Sequence, residues 1–293
     1  QLGHFAIGYI CYEAASGLDT SLCHRPKHSY PLAIFAEFKE TRPIDLPSDL
    51  RAVKLRATIG KNCFSQSIGK IREHLKNGDT YQVNFTHQLI GDCSEVPLNV
   101  FAKLIQAQPT PHGIFFETEH FAICSASPEL FFSLKNEEIE MKPMKGTRKR
   151  GRYLAEDLQY KAELGSSEKD RAENLMILDM VRNDLGRICQ PGSIKPSKLF
   201  EIHKLPTVWQ QTSSVTGKTE ATLAEIFSAT FPCASITGAP KIKAMEIISE
   251  LEIIPRGVYT GTLGYLKPNR EASFNVAIRT MFIDKKTRKA SYG

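Results

Sequence analysis

The sequence predicts an α+β, or layered α/β, fold: large, mainly antiparallel sheets forming a sandwich flanked by helices. Three observations carry this. Stretches with strand-like alternation follow one another in runs, so a regular β-α-β alternation is absent. The helical stretches between them are few and dispersed. With 293 residues, 41% of them hydrophobic, the chain can bury a large core. No internal repeat, low-complexity tract or linker divides it, so one domain over residues 1–293 is expected. Both ends read as cut: Gln1 is neither Met nor part of a signal peptide, and Gly293 falls within a strand.

Residues 1–40 alternate short apolar runs with turn signals, as strands do. Ser65–Lys76 reads as a helix, with Ile68, Ile71 and Leu75 on one stripe and Asn77-Gly78 as its stop. Tyr81–Ile90 alternates as a strand, and Leu98–Gln108 is helical up to Pro109. Gly113–Leu134 reads as two strands and Glu138–Met144 as a third. Ser167–Leu185 is the strongest helix, with Ser167 and Asp170 in capping-box spacing and Gly186 as its stop. Leu223–Ser228 is a short helix, and Pro240–Leu251 another with proline in its first turn. Val258–Tyr292 reads as a meander turning at Pro268-Asn269-Arg270.

Composition narrows the function classes. The formal charge of +6 is small for this length, and aromatics are not interleaved with basic clusters. A solvated surface or a small dianionic substrate fits this better than nucleic acid. The longest apolar run, near Phe5–Tyr12, is far short of a membrane span and is broken by Gly8. The seven cysteines (Cys11, Cys23, Cys63, Cys93, Cys124, Cys189 and Cys233) are widely spaced, with no C-x-x-C pair. They read as reduced, mostly buried thiols of a cytoplasmic protein rather than a zinc site or disulfide framework.

Several short motifs carry chemistry. Asp170 and Glu173 lie three residues apart on one helix face. A hard cation such as Mg2+ relieves the repulsion of such a pair; taken alone, the spacing is equally that of a solvated acidic first turn. Arg182-Asn183-Asp184-Leu185-Gly186-Arg187 ends the same helix, and Asp179 can pair with Arg182. Ser235-Ile236-Thr237-Gly238-Ala239-Pro240-Lys241 places small residues and a lysine before a helix start, where free N–H groups attract an anion. It is not a Walker loop, and an ordinary cap gives the same pattern. Lys145, after an alternating strand, becomes a nucleophile if a dry pocket strips its proton; most such lysines are surface residues. Glu129 follows an apolar strand, where burial makes a general acid of a carboxyl, or an ion pair holds it. Arg279 interrupts an apolar strand and needs an anion, either a structural carboxylate or a ligand.

The order of these blocks is more specific than any one of them. Ser127-Pro128-Glu129, Pro143-Met144-Lys145-Gly146-Thr147, Ala172-Glu173-Asn174-Leu175-Met176 and Arg182–Arg187 follow one another. Ser235–Lys241, Gly261-Thr262-Leu263-Gly264-Tyr265 and Asn275–Thr280 come after them. The chain resembles the chorismate-utilising enzymes: anthranilate synthase component I, aminodeoxychorismate synthase component I, isochorismate synthase and salicylate synthase. The resemblance spans nearly the whole chain and implies the fold of anthranilate synthase component I. Lys145 stands where anthranilate synthases have alanine, and Ser235–Lys241 has the form that aminodeoxychorismate synthases favour. Gln82, in Tyr81-Gln82-Val83-Asn84, stands where isochorismate and salicylate synthases carry a water-activating lysine. The chain is therefore most similar to the aminodeoxychorismate synthases, with anthranilate synthase as the enzymatic alternative. A chorismate-binding or glutaminase-partner protein without turnover is the third reading.

The resemblance also implies roles. Chorismate is expected to bind through Mg2+ held by Glu173 and Asp170. Arg279, Lys241 and the amides of Thr237, Gly238 and Ala239 are expected to hold its carboxylates, with Tyr259 also at the substrate. Lys145 is expected to add to the ring, with Glu129 as general acid. Ammonia is expected from a glutamine amidotransferase subunit. Gln210 replaces a histidine common in the family and is left out of the catalytic set. Beyond Gly293 the family has a further helix with acidic metal ligands, and before Gln1 further strands with a tryptophan pocket.

Overall fold

The computed structural model describes residues 3–22 and 30–293; Cys23 and the first two residues lie outside them. Two large antiparallel sheets organise these residues. The nine-stranded sheet comprises Phe5–Ile10, Ala33–Phe38, Leu130–Lys135, Glu138–Met141, Met144–Lys149, Lys195–Lys204, Val208–Lys218, Thr262–Lys267 and Glu271–Val276. The six-stranded sheet comprises Arg56–Ala57, Leu89–Asp92, Ile114–Glu117, Phe121–Ser125, Thr280–Asp284 and Lys289–Tyr292.

Strand alternation builds the layers. Phe121 and Ile123 join Tyr9 and Leu263 in a core between the sheets, while Cys124, from the opposite face, packs on Val100 and Phe101 of the helix Pro97–Ala107. The other face of the larger sheet, with Phe132, Met141, Val215 and Phe274, is covered by the helices Glu168–Gly186 and Leu223–Thr230. Asn174, Ile177, Leu178, Val181 and Leu185 form the buried stripe of the longer helix at helical spacing. A smaller cluster joins Ile71 of Lys61–Asn77 to Ile247 and Leu251 of Lys241–Leu251. The expected layered sandwich of antiparallel sheets flanked by helices is the observed architecture.

The chain passes between the sheets three times; besides the long link from Phe38 to Arg56, two crossings matter for the site. Gly113–Leu134, expected as two strands, holds three; after Ser125 it leaves the smaller sheet and enters the larger one at Leu130 through Ser127-Pro128-Glu129. The meander from Val258 divides likewise: Thr262–Lys267 and Glu271–Val276 belong to the larger sheet, and Thr280–Asp284 and Lys289–Tyr292 to the smaller. Arg279 sits in that second crossing with a positive φ of 50°.

Several expected elements are corrected. Tyr81–Ile90 is not one strand: Gln82–Val83 makes a two-residue bridge to Gly238–Ala239, and Leu89–Asp92 joins the smaller sheet. The Ser167 cap accepts the Asp170 N–H at 3.3 Å, but the reciprocal half of the capping box is absent because the Asp170 carboxylate goes to Arg148. A full capping box stands instead at Thr222 and Glu225. Pro240 is the cap residue, outside a helix that begins at Lys241. Asp179 and Arg182 do pair, at 3.0 Å on the surface.

Candidate active site

The larger sheet places Lys145 by an irregularity. Met144 pairs with Thr212 and Thr147 with Gln210, so three steps along one strand face two along the other. Such a bulge turns side chains out of the ladder and is frequent beside active sites. Gly146 allows it at φ 97°, with Asp170, Leu164 and Gln211 packed where its side chain would stand. Lys145 Nζ then donates to the Ser235 carbonyl at 2.8 Å.

Glu129 reaches the same place from the sheet crossing at Ser127-Pro128-Glu129. Its carbonyl accepts from Val276 N at 3.1 Å, and its own N–H donates to Ser127 Oγ at 3.2 Å. Ser127 Oγ in turn donates to the Val276 carbonyl at 2.5 Å, which ties the two crossings together. The side chain is 3% exposed, and Oε1 has no hydrogen-bond partner among the described residues.

Burial acts on the two groups in opposite directions. It pushes the Glu129 carboxyl up to about 7, against the restraint of the Ser235 side chain, the Lys145 charge and the Met144 N–H. It draws the Lys145 ammonium below the ordinary lysine range, while Glu129, Glu173 and Cys233 pull it back. A dry site disfavours both charged forms, so the neutral amine beside the protonated acid gains on the ion pair. Cys233, whose thiol burial pushes up to about 12, lies against Ser235 Oγ at 3.3 Å.

The small-residue loop lies next to this pair. Gly238 has φ 148°, and a β-carbon there would come within 2.1 Å of the Gln82 carbonyl. Gly238→Ala is therefore expected to distort the loop or unfold it, read as a large loss of ligand affinity and a lowered Tm. Asn84 N donates to the Thr237 carbonyl at 2.9 Å and Tyr81 N to the Ala239 carbonyl at 2.7 Å. Arg256, 4% exposed, pins both sides of this bridge through the carbonyls of Ile236 (3.0 Å) and Asn84 (2.6 Å), its charge balanced by Glu252 at 2.7 Å.

The remaining expected residues divide. Lys241 is near the loop, but its Nζ is committed to Asp184 at 2.7 Å and the Thr230 carbonyl at 3.2 Å, so its charge is already balanced. Arg279 donates to the Gln108 side-chain carbonyl and makes no ion pair among the described residues. Burial weakens its proton affinity. Asp170 is held by Arg148 at 2.7 Å, whereas Glu173 is 37% exposed and, among the described residues, ion-paired with Lys169 alone, at 3.9 Å. No three His, Cys, Asp or Glu side chains cluster as a metal cage among the described residues. The donor set fits Mg2+ only in part: Glu173 offers a carboxylate and Asp170 does not. Mg2+ ordinarily keeps several waters and takes one or two carboxylates plus substrate oxygens, which a site with Glu173 alone satisfies.

Sequence reasoning passed over Ser235, Gln108 and Asp184 as site residues. Ser235 and Asp184 stood inside recognised motifs, while nothing in the sequence around Gln108 marks it.

Residues 4–293 match the family of chorismate binding enzymes, and the chain belongs to that family. It is 39% identical over 221 residues to aminodeoxychorismate synthase component 1 of Bacillus subtilis (strain 168), covering 75% of this chain and 47% of that protein. It is 35% identical over 238 residues to anthranilate synthase component 1 of Saccharolobus solfataricus, covering 80% of this chain and 56% of that protein. The chain thus spans about half the length of these curated relatives. Its fold superposes on the crystal structure of anthranilate synthase component I from Streptococcus pneumoniae with a TM-score of 0.86 at 26% identity, covering 99% of this chain and 74% of that one. No helix among the described residues is long and apolar enough to cross a membrane.

Proposed function

We propose that this protein aminates chorismate to 4-amino-4-deoxychorismate, as component 1 of an aminodeoxychorismate synthase, a step toward 4-aminobenzoate and folate. The observation that carries the proposal is Lys145, turned out of its strand by a bulge and partly buried beside a carboxyl whose proton affinity is raised to near neutrality. That pair is what a covalent displacement needs. The neutral Lys145 amine adds to ring carbon C2, the ring double bond shifts, and the C4 hydroxyl leaves as water with the Glu129 proton. Ammonia then attacks C4, the double bond shifts back, and Lys145 is expelled. One difficult displacement becomes two easier ones.

Arg279 supports one substrate carboxylate, being a partly buried cation without a carboxylate partner among the described residues. Thr237, Gly238 and Ala239, at the start of the helix Lys241–Leu251, support the other. Lys241 contributes by fixing this loop to the helix Glu168–Gly186 through Asp184. Tyr259 flanks Arg256 and the chain end at Gly293. Glu173 would hold Mg2+, which would neutralise charge at the substrate carboxylate. The ammonia is assigned to a glutamine amidotransferase partner, in keeping with the component 1 naming of the relatives.

The test is product analysis of the protein incubated with chorismate, Mg2+ and ammonium. The expected product is aminodeoxychorismate, with the enolpyruvyl group retained. Anthranilate and free pyruvate in its place would refute the proposal and favour the anthranilate synthase reading.

A further inference from the structure

We propose that Asn174 is the positioning residue for Lys145: a directional hydrogen-bond chain runs through it into the bulge and sets where the lysine points. The proposal rests on reading Lys145 as the nucleophile.

A bulge leaves its extra residue without a ladder partner. Here Lys145 and Gly146 share that position, and each has its carbonyl taken by a side-chain amide instead. Gln210 Nε2 donates to the Gly146 carbonyl at 3.0 Å, and Asn174 Nδ2 to the Lys145 carbonyl at 3.4 Å. Asn174 comes from the buried stripe of the helix Glu168–Gly186 and is 1% exposed.

The direction of its amide is fixed from behind. Phe200 N–H donates to Ser213 Oγ at 3.0 Å, which leaves the Ser213 hydroxyl hydrogen for Asn174 Oδ1 at 2.5 Å. With Oδ1 occupied as acceptor, Nδ2 is the atom left to face Lys145. Backbone N–H, hydroxyl, amide and lysine carbonyl thus form one chain that cannot reverse. It anchors the Lys145–Gly146 peptide, whose rotation would swing Lys145 away from Ser235 and Glu129. A lysine stem has four rotatable carbons, so its aim is set by where its Cα is held.

The experiment uses the protein with Asn174→Asp and, separately, Ser213→Ala. Three quantities are read: steady-state turnover with chorismate and ammonium, its pH profile, and the rate at which acetic anhydride labels Lys145, located by peptide mass. Asn174→Asp keeps the shape but removes the donor; Ser213→Ala leaves Asn174 in place but frees its amide to turn. Both are expected to lower kcat roughly 10–100-fold, as a misplaced reacting group does, with KM within about twofold of wild type. The acidic limb of the Asn174→Asp profile is expected to move to higher pH, because a new carboxylate favours the lysine ammonium. The Ser213→Ala limb is expected to stay in place. Unchanged kcat and unchanged labelling alongside a lowered Tm would overturn the proposal, leaving Asn174 a packing residue. The labelling rate does not depend on the product formed, so it still decides the role of Asn174 if the product proves to be anthranilate.

Discussion

Lys145→Ala is expected to abolish amination, lowering the rate by about three orders of magnitude while leaving the fold intact. The physical reason is that ammonia alone has no low-energy route to C4 of chorismate; the covalent route exists only with an amine held at C2. The fold is expected to survive because Lys145 is only partly buried and its side chain makes a single hydrogen bond among the described residues, to the Ser235 carbonyl. Residual turnover in the variant is expected as anthranilate rather than aminodeoxychorismate, since alanine stands at this position in anthranilate synthases. Circular dichroism together with product mass separates loss of chemistry from loss of structure. Full aminodeoxychorismate formation by the variant would make Lys145 a bystander.

Glu129→Gln is expected to lower kcat by roughly 10²–10⁴-fold, the range of a lost general acid. The pH profile carries the sharper signature. The productive state holds one proton, on Glu129, with Lys145 neutral. The wild-type rate is therefore expected to fall as pH rises through about 7, where Glu129 loses its proton. That alkaline limb should vanish in the glutamine variant. The acidic limb, which reports Lys145 beside an already neutral Glu129, should not move to lower pH. Stability is expected to change in the opposite sense. With its value raised from 4.5 to about 7, Glu129 binds its proton more tightly in the folded chain than in the unfolded one. Its favourable contribution is thus fully present below 4.5 and lost as pH rises through 7. At pH 8 the glutamine variant should be the more stable protein, by about 3 kcal/mol, readable as a Tm gap that closes toward acid pH. A variant with the wild-type profile and no such gap would place Glu129 outside the chemistry.

What was legible in the sequence was local. Ile177, Leu178, Val181 and Leu185 advertise a buried helical stripe, and the strand alternation from Leu130 to Met141 shows in the same way. The helix Leu154–Ser166 escaped notice because its pattern is weak: Leu154 and Leu158 face solvent at 73% and 52% exposure. Lys195–Lys204 escaped because its apolar residues, Leu199, Phe200 and Ile202, are a short run among the Lys, Pro, Ser, Glu and His of an edge strand. Lys145, Glu129 and Arg279 could be nominated because the block order resembles a family. Their geometry could not, since it depends on a bulge opposite Thr212 and on two crossings between sheets, all three set by pairing distant in sequence. For the same reason the ion pairs of Asp170 and Lys241 were not legible. Their partners, Arg148 and Asp184, lie 22 and 57 residues away, and no short-range pattern links them.

The most direct measurement is a search for the covalent intermediate itself. The protein is mixed with chorismate and Mg2+ without ammonia, quenched in acid, and analysed by intact mass and peptide mapping. The predicted result is an adduct of chorismate less water on the peptide carrying Lys145, discharged as aminodeoxychorismate when ammonium is added before the quench. Amination proceeding with no adduct, or with the adduct on a different residue, would contradict the lysine mechanism.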